Sequence, residues 1–153
     1  MIILADIREP SVARQIHALL QAAYAVEARR IGCDDFPPLH ETVAGLGNCA
    51  DYFLIYFEAG EIAGCLSYQN DAEGITITRL VVSPPQFRRG IASALLRELE
   101  RCQPPGTVIC GMTADLNEPA VRAYEKCGYS TEAAPASRGI ALRRVRKQIG
   151  GAG

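Results

Sequence analysis

Alternating and helix-spaced apolar positions divide the chain into a regular series of strands and helices. Apolar residues at every second position predict strands, whereas spacings of three and four predict helices. The predicted strands are residues 2–7, 52–58, 62–69, 75–82, 107–113, 129–132 and 140–145, and the predicted helices are 11–32, 40–46, 89–102 and 117–128. Short polar turns at 59–61 and 70–74 join the middle strands. These turns predict antiparallel hairpins in the front half of the chain.

The strand at 75–82 changes phase halfway along its length. Ile75 and Ile77 alternate on one face, but the apolar pattern continues at Leu80 and Val82, one residue out of step. A β-bulge produces this shift, because one extra residue turns every later side chain to the other face. A strand covered on both faces gives the same pattern without a bulge, so both interpretations stay open here.

The back half of the chain reads as a strand–helix–strand unit. The predicted helix 89–102 lies between the strands at 75–82 and 107–113. A helix that joins two neighbouring strands of one sheet in this way makes the strands parallel, and the connection is right-handed. The predicted fold class is therefore α/β, of the α+β type, with antiparallel strands in front and a βαβ unit behind. We expect one domain over residues 1–147 and a flexible tail at 148–153.

Composition agrees with one globular domain and excludes several other classes of protein. The chain has 153 residues, of which 48% are hydrophobic and 22% are charged. Apolar runs fall short of the roughly 20 residues that a membrane-spanning helix needs, and Asp6 and Arg8 interrupt the N-terminal apolar stretch. Two histidines and six cysteines show no metal-binding spacing. We therefore expect a cytoplasmic protein without a membrane partner or a metal.

Charge is divided unevenly between the two halves. Residues 1–76 carry 11 acidic and 4 basic side chains, whereas residues 77–153 carry 6 acidic and 12 basic ones. The split has two interpretations: two unlike partners, an anion for the second half and a cation for the first, or charges that segregate by chance. The overall charge of −1 argues against nucleic acid as a partner.

A candidate anion site follows the strand at 75–82. The chain turns there and starts a helix at Gly90, directly after Arg88 and Arg89. A helix start has unpaired backbone N–H groups and about half a positive charge, which together bind phosphate. Gly90 and Ala92 allow a ligand to approach the backbone closely. The alternative is a plain helix-start glycine beside two solvated arginines.

Residues 79–96 resemble motif A of the GNAT superfamily of N-acetyltransferases. Val82-Ser83-Pro84 fits the family's V-x-P step, and Gly90-Ile91-Ala92 fits the end of its pyrophosphate loop, Q/R-x-x-G-x-G/A. Phe87 stands at the first loop position, where the family has Gln or Arg. This departure removes one side-chain contact and leaves the backbone contacts of the loop.

A second segment resembles the family's N-x-x-A-x-x-x-Y-x-x-x-G-F/Y motif. The residues on pattern are Asn117, Ala120, Tyr124, Gly128 and Tyr129. The resemblance implies a GNAT-like mixed, mostly antiparallel sheet with a β-bulge and splayed central strands, flanked by about four helices. It also implies transfer of an acetyl group from acetyl-CoA, as cosubstrate, to a primary amine by direct attack in a ternary complex.

The resemblance further implies roles for individual residues. Tyr124 is expected to act as general acid toward the CoA thiolate, although a core aromatic is the alternative reading of a tyrosine on an inward helix stripe. The residues expected to bind the cosubstrate are Leu80, Val81, Val82, Phe87, Arg88, Arg89, Gly90, Ile91, Ala92, Ser93 and Asn117.

The general base, the acceptor and the oligomeric state stay open at the level of sequence. The candidate bases are Glu27, Asp34, Asp35 and Glu41, and none of them is assigned. The acceptor amine belongs to a small molecule or to a protein, and a homodimer is left open. Two competing functions are a non-catalytic acyl-CoA sensor and a small nucleic-acid-binding module. The basic cluster at 138–147 is interpreted as a solvated strand edge, with RNA or an acidic partner as alternatives.

Overall fold

Seven strands and four α-helices make up residues 1–33, 35–86 and 90–150, the part of the chain that the computed structural model describes. The strands are β1 (Ile2–Ala5), β2 (Tyr52–Glu58), β3 (Glu61–Asp71), β4 (Gly74–Val82), β5 (Val108–Ala114), β6 (Ser130–Ser137) and β7 (Ile140–Gln148). The helices are α1 (Pro10–Ile31), α2 (Val43–Asn48), α3 (Ile91–Arg101) and α4 (Glu118–Lys126). Two short 3₁₀ helices span Pro37–His40 and Pro84–Gln86.

The strands form one sheet in the order β1-β2-β3-β4-β5-β7-β6. Every neighbouring pair is antiparallel except β4 and β5, which are parallel. The α3 crossover joins these two strands, because parallel neighbours cannot be connected by a tight turn. The predicted mixed, mostly antiparallel sheet with four flanking helices is confirmed.

Each face of the sheet carries its own hydrophobic core. On one face α1 and α2 pack against β2–β4, with Ile16, Leu20 and Phe53 fully buried. On the other face α3 and α4 pack around Leu95 and Ile109. Successive side chains of a strand point to opposite faces of the sheet, so the central strands contribute side chains to both cores.

The predicted β-bulge in β4 is confirmed. Along β3 the pairing passes from Tyr68↔Ile77 to Ser67↔Arg79, so Thr78 has no partner in β3 and is the extra residue. As a result Leu80 and Val82 pack with the same core as Ile75 and Ile77, whereas Val81 joins the α1 core. The phase change in the sequence therefore marks an inserted residue, in a strand that also contributes side chains to both cores.

Several element boundaries differ from the sequence prediction. A 3₁₀ turn followed by α2 replaces the single helix at 40–46, and Thr42 caps α2 through its side chain, which accepts a hydrogen bond from the Gly45 N–H at 3.0 Å. Strand β6 extends to Ser137, well past the predicted 132. Strand β7 reaches Gln148, and the Ile149 N–H bonds Thr107 O at 2.8 Å, so the first residues of the predicted tail belong to the sheet. Residues 151–153 lie outside the described residues.

None of the described helices combines the length and the apolar character that crossing a membrane requires. The longest, α1, has 22 residues but presents its apolar stripe to the sheet and its polar side chains to solvent. It begins with Pro10 in its first turn and ends at Gly32, whose φ of 69° closes the helix in a left-handed conformation. This placement of proline and glycine is typical of helix ends.

Candidate functional site

The central strands of the sheet separate directly after the bulge. Strands β4 and β5 pair only at Ile75–Ile77 with Ile109–Gly111. Beyond this short ladder β4 continues to Val82 and β5 to Ala114, and no pairing between them is found among the described residues. The backbone edge of β4 that carries Leu80, Val81 and Val82 therefore faces an opening in the sheet.

The start of α3 lies at one end of this opening. Gly90 caps the helix with a φ of 77°, and a Cβ placed on it meets no atom within 4 Å. The first N–H groups of a helix have no partner within it, so the amides of Ile91, Ala92 and Ser93 lie where a phosphate can bind them. The predicted contacts Phe87, Arg88 and Arg89 lie outside the described residues.

A cavity of about 660 Å³, here called the loop cavity, runs along the start of α3. It is lined by the described members of the predicted cosubstrate set, namely Leu80, Val81, Val82, Gly90, Ile91, Ala92, Ser93 and Asn117. Arg30, Arg122 and Lys126 also line it, and these three basic side chains suit an anionic ligand. The structure thus brings the two sequence segments together, while the binding role of each residue stays a prediction.

A second cavity of about 490 Å³, here called the cleft cavity, lies at the other side of the opening. Tyr24 and Phe36 form part of its wall, with their rings edge to face and 6.1 Å between centroids. Tyr124 lies in the same wall. The cavity extends to Arg138, in the turn between β6 and β7, whose φ of 51° is unusual for a residue with a side chain.

The two cavities meet at the bulged strand. Of the residues that the structure describes, five line both cavities: Glu27, Leu80, Val81, Asn117 and Ala120. A ligand that extends from the α3 start along β4 therefore reaches the boundary of the cleft cavity. Among these five residues Glu27 alone has an ionisable side chain.

Tyr124 is almost completely buried on α4. Its exposed fraction is 2%, and its ring packs edge to face against Tyr129 at a centroid distance of 5.3 Å. Burial raises the pKa of the Tyr124 hydroxyl well above its usual range, because the phenolate loses solvation. The hydroxyl therefore keeps its proton across physiological pH, as a general acid must before it acts.

Glu27 differs from the other carboxylates proposed as bases. Burial raises the pKa of its carboxyl, and a side-chain hydrogen bond with Asn117 and the charge of Arg30 offset part of that rise. Glu27 and Tyr24 line the same cavity one helical turn apart, as their spacing predicts. The sequence does not reveal the link to Asn117, since 90 positions separate the two residues.

The remaining described candidates are already paired. The Glu41 carboxylate accepts hydrogen bonds from Nε and Nη2 of Arg79, the first at 3.1 Å. Asp35 is 81% exposed and lies 2.5 Å from Nε2 of His40. Asp34 lies outside the described residues. Neither Glu41 nor Asp35 lines either cavity.

The sequence reading missed a polar cluster that holds the bulge. Asp51 accepts hydrogen bonds from Oγ1 of Thr78 at 2.6 Å, from Nη1 of Arg79 at 2.7 Å and from Nε2 of Gln69 at 2.7 Å. The Arg79 guanidinium also lies over the Phe53 ring, 5.4 Å from its centroid. A charged residue at position 79 in an otherwise apolar strand is the signal that points to this cluster.

Most of the C-terminal basic cluster is neutralised within the fold. Lys147 pairs with Glu100 at 2.6 Å, Arg143 with Asp115 at 2.8 Å and Arg144 with Glu132 at 3.6 Å. Arg79, from the basic half, likewise pairs with Glu41 and Asp51 from the acidic half. Many of the charges that distinguish the two halves are therefore neutralised by ion pairs between the halves or within the basic half.

Comparisons with known proteins agree on one family. The model of the acetyltransferase (GNAT) family matches residues 14–129. UPF0157 protein YqkA of Bacillus subtilis (strain 168) is 35% identical over 136 residues, which are 88% of this chain but 40% of that protein. The chain thus spans well under half the length of this curated relative.

Solved structures of acetyltransferases have the same fold as this chain. Aminoglycoside 6'-N-acetyltransferase complexed with coenzyme A has a TM-score of 0.73 and 20% identity, with 97% of each chain covered. The structure of yncA from Salmonella typhimurium with its cofactor acetyl-CoA has a TM-score of 0.69 and 14% identity, covering 100% of this chain and 95% of that one. Together with the family model, these similarities show that the chain belongs to the GNAT acetyltransferase family.

Proposed function

We propose that the protein transfers an acetyl group from acetyl-CoA to a primary amine by direct attack in a ternary complex. The observation that carries the proposal is the separation of β4 and β5 after the bulge, with a cavity at each side of the opening. Two partners can meet there without either leaving its own cavity. In this proposal acetyl-CoA occupies the loop cavity and the amine occupies the cleft cavity.

The residues along β4 fit the cosubstrate by shape and by backbone chemistry. The unpaired edge at Leu80–Val82 offers N–H and C=O groups to an extended amide-bearing arm, in the way that a neighbouring strand would. A backbone N–H directed at the thioester carbonyl stabilises the negative charge that develops on its oxygen. Gly90, Ile91, Ala92 and Ser93 hold the pyrophosphate at the α3 start, and the predicted contacts Phe87, Arg88 and Arg89 complete this site.

Tyr124 and Asn117 complete the proposed machinery from the side of α4. Acetyl-CoA supplies an acetyl group that is activated as a thioester. In this proposal Tyr124, a residue of the cleft cavity wall, gives its hydroxyl proton to the departing sulfur, a kind of assistance that contributes roughly 10²–10⁴-fold. Asn117 lines both cavities and directly precedes α4.

The amine acceptor is proposed to be compact. A cleft cavity of about 490 Å³ holds a small molecule or the end of a peptide rather than a folded surface. Its wall combines the Tyr24 and Phe36 rings with the Glu27 carboxylate. Aromatic faces and a carboxylate both attract an ammonium group, so we expect an alkyl amine that enters as a cation.

A thiol-release assay tests this function. The purified chain is incubated with acetyl-CoA and a panel of amines, comprising a polyamine, an aminoglycoside, small amino compounds and peptides with a free N-terminus or lysine. Thiol release that depends on both the enzyme and the amine, with the acetylated amine detected by mass, is expected. Binding of CoA without transfer to any amine contradicts catalysis and supports an acyl-CoA sensor instead.

A further inference from the structure

Glu27 lies at the one place where the proposed reaction partners meet. Five residues line both cavities, and the other four are Leu80, Val81, Asn117 and Ala120. None of those four can accept a proton as a base at neutral pH. A proton that leaves the acceptor nitrogen at this boundary therefore has one carboxylate within the shared wall to receive it.

Two neighbours of Glu27 favour the ionised form of its carboxyl at this boundary. They are Asn117, which precedes α4 and acts through a side-chain hydrogen bond, and Arg30, which acts through its charge. The neighbouring wall is formed by Tyr24 one turn earlier on α1.

The other described carboxylates in or near the cavities have different roles. Glu41 and Asp51 accept hydrogen bonds from Arg79 and line neither cavity. Glu118 lines only the loop cavity, is 74% exposed and pairs with Arg122. Within the described lining of the cleft cavity, Glu27 is the only carboxylate.

We propose that Glu27 accepts the proton that the acceptor ammonium must lose before its nitrogen can attack. The inference rests on the proposed function and assigns the base that the sequence leaves open. Two protons leave nitrogen between ammonium and amide. The first passes to the Glu27 carboxylate and from there to solvent, and the C–N bond then forms as the C–S bond breaks. Tyr124 gives its proton to sulfur, and the second nitrogen proton restores the Tyr124 hydroxyl.

Several charged and titratable groups line a cavity together with Glu27. They are Tyr24 and Arg30 on α1, Arg79 on β4, Glu118, Arg122, Tyr124 and Lys126 on α4, and Arg138 in the β6–β7 turn. Arg30 lowers the pKa of the Glu27 carboxyl, but burial outweighs it and the net change is a rise. A carboxylate with a raised pKa is a stronger base when it is ionised.

Glu27→Gln tests the assignment, because it keeps the size and the hydrogen bond to Asn117 but cannot take a proton. The wild type, which uses ammonium and carboxylate together, should show a nearly flat kcat/KM between about pH 6 and 9. The variant can use only the unprotonated amine, which is a small fraction of the acceptor at pH 7. Its kcat/KM should therefore be about 10²-fold lower at pH 7 and rise about tenfold per pH unit. Glu27→Asp should retain the flat profile at a reduced rate.

Glu125→Gln is the matched control, since Glu125 is an exposed carboxylate on α4 that lines neither cavity. It should leave both rate and profile unchanged. The dissociation constant for CoA should stay within about twofold of the wild-type value in all three variants, which shows that folding and cosubstrate binding survive.

The stability of the same variant separates a catalytic role from a structural one. Because the folded-state pKa of Glu27 is raised, the carboxyl favours the folded state when protonated, and this contribution is lost as pH rises through the folded pKa. Above the folded-state pKa the ionised carboxylate is therefore a cost to folding. Glu27→Gln should unfold at the same temperature as the wild type or a higher one, whereas loss of a structural contact would lower it.

The outcomes distinguish this assignment from the proposed function itself. A wild-type chain that acetylates amines, together with a Glu27→Gln variant that keeps the wild-type rate and flat profile, contradicts the Glu27 assignment alone. A wild-type chain that transfers no acetyl group to any amine contradicts the proposed function and the assignment with it. A slow, pH-dependent and stable Glu27→Gln variant supports both.

Discussion

The carboxylate of Asp51 accepts a hydrogen bond from the hydroxyl of Thr78, the extra residue of the β4 bulge, at 2.6 Å. The same carboxylate pairs with Arg79, the next residue along the strand. One partner is the bulge residue and the other follows it directly, so Asp51 binds β4 at the point where its pairing with β5 has ended. A residue just before β2 thus contacts β4 beside the opening in the centre of the sheet.

Asp51→Ala should destabilise the protein. The Asp51 side chain is 6% exposed and that of Arg79 is 12% exposed, so the substitution leaves a nearly buried guanidinium with Glu41 as its remaining acidic partner. Breaking a buried pair costs roughly 3–5 kcal/mol, and we expect the lower end because Glu41 stays. Urea denaturation measures the loss. Asp6→Ala, which removes an exposed pair with Arg8, is the control and should cost far less, because solvent screens that pair. Equal losses in the two variants would contradict a stabilising role for the cluster of Glu41, Asp51 and Arg79, here called the clamp.

Tyr124→Phe should lower kcat by about 10²-fold while changing the CoA dissociation constant less than about twofold, because only the proton donor is lost. The matched control is Tyr129→Phe. Its hydroxyl donates to Glu100 at 3.2 Å and lies outside both cavities, so that variant should lose about 1 kcal/mol of stability and keep its turnover. Unchanged turnover in Tyr124→Phe would show that the tyrosine is a core aromatic only.

Gly90→Val should weaken CoA binding by tenfold or more. The added side chain covers the start of α3, where the phosphate is proposed to approach the backbone. Gly60 provides a close control, because its φ of 79° nearly equals the 77° of Gly90 and a Cβ on it also meets no atom within 4 Å. Both valine variants carry a similar left-handed strain of about 1–2 kcal/mol. Isothermal titration should find lost CoA affinity only in the Gly90 variant, and equal affinity in both would rule out the proposed phosphate site.

Stability should fall at alkaline pH, in part because of Cys65. Burial raises the pKa of this thiol to about 12, whereas the unfolded thiol titrates near 8.5. Its contribution is therefore complete below about pH 8.5 and is lost as pH rises toward 12, at about 1.4 kcal/mol per pH unit. Buried Tyr24, Tyr124 and Tyr129, whose pKa values are also raised, add to the fall above about pH 10.

Cys65→Ala isolates the thiol in this decline. Urea midpoints at pH 8, 9, 10 and 11 should fall less steeply for the variant than for the wild type, although the variant begins from a lower stability. Parallel curves for the two proteins would show that the thiol is not responsible. Cys102, which is exposed at the end of α3, offers the control, since Cys102→Ala should leave the slope unchanged.

The sequence indicates the bulge, as one of two interpretations, and the helix start, because both leave local marks. The one-residue shift of Leu80 and Val82 relative to Ile77 indicates the inserted residue, and Gly90 after a strand indicates a left-handed helix start.

Strand β6 is longer than its pattern indicates. Residues 133–137 are Ala-Ala-Pro-Ala-Ser, with little strand preference, and they become a strand only because the edge of β7 pairs with them.

Contacts between distant parts of the chain leave no such local mark. The clamp joins Glu41, Asp51 and Arg79, and the shared wall joins Glu27 to Asn117. Each of these pairs depends on how α1 and the segment after it fold over the sheet, and charge along the sequence does not encode that geometry. The acidic front half therefore suggested an amine in general terms, whereas the structure separates the clamp carboxylates from the one that faces the cleft.

Titration of the purified protein with CoA, followed by thermal unfolding, tests the central claim most directly. A ligand at about 100 times its dissociation constant stabilises the folded state by about 2.7 kcal/mol, which corresponds to a rise in Tm of about 5–10 °C for a chain of this size. We expect this rise with one CoA bound per chain, and its loss in Gly90→Val. An unfolding temperature that stays constant up to millimolar CoA would contradict the proposed cosubstrate site.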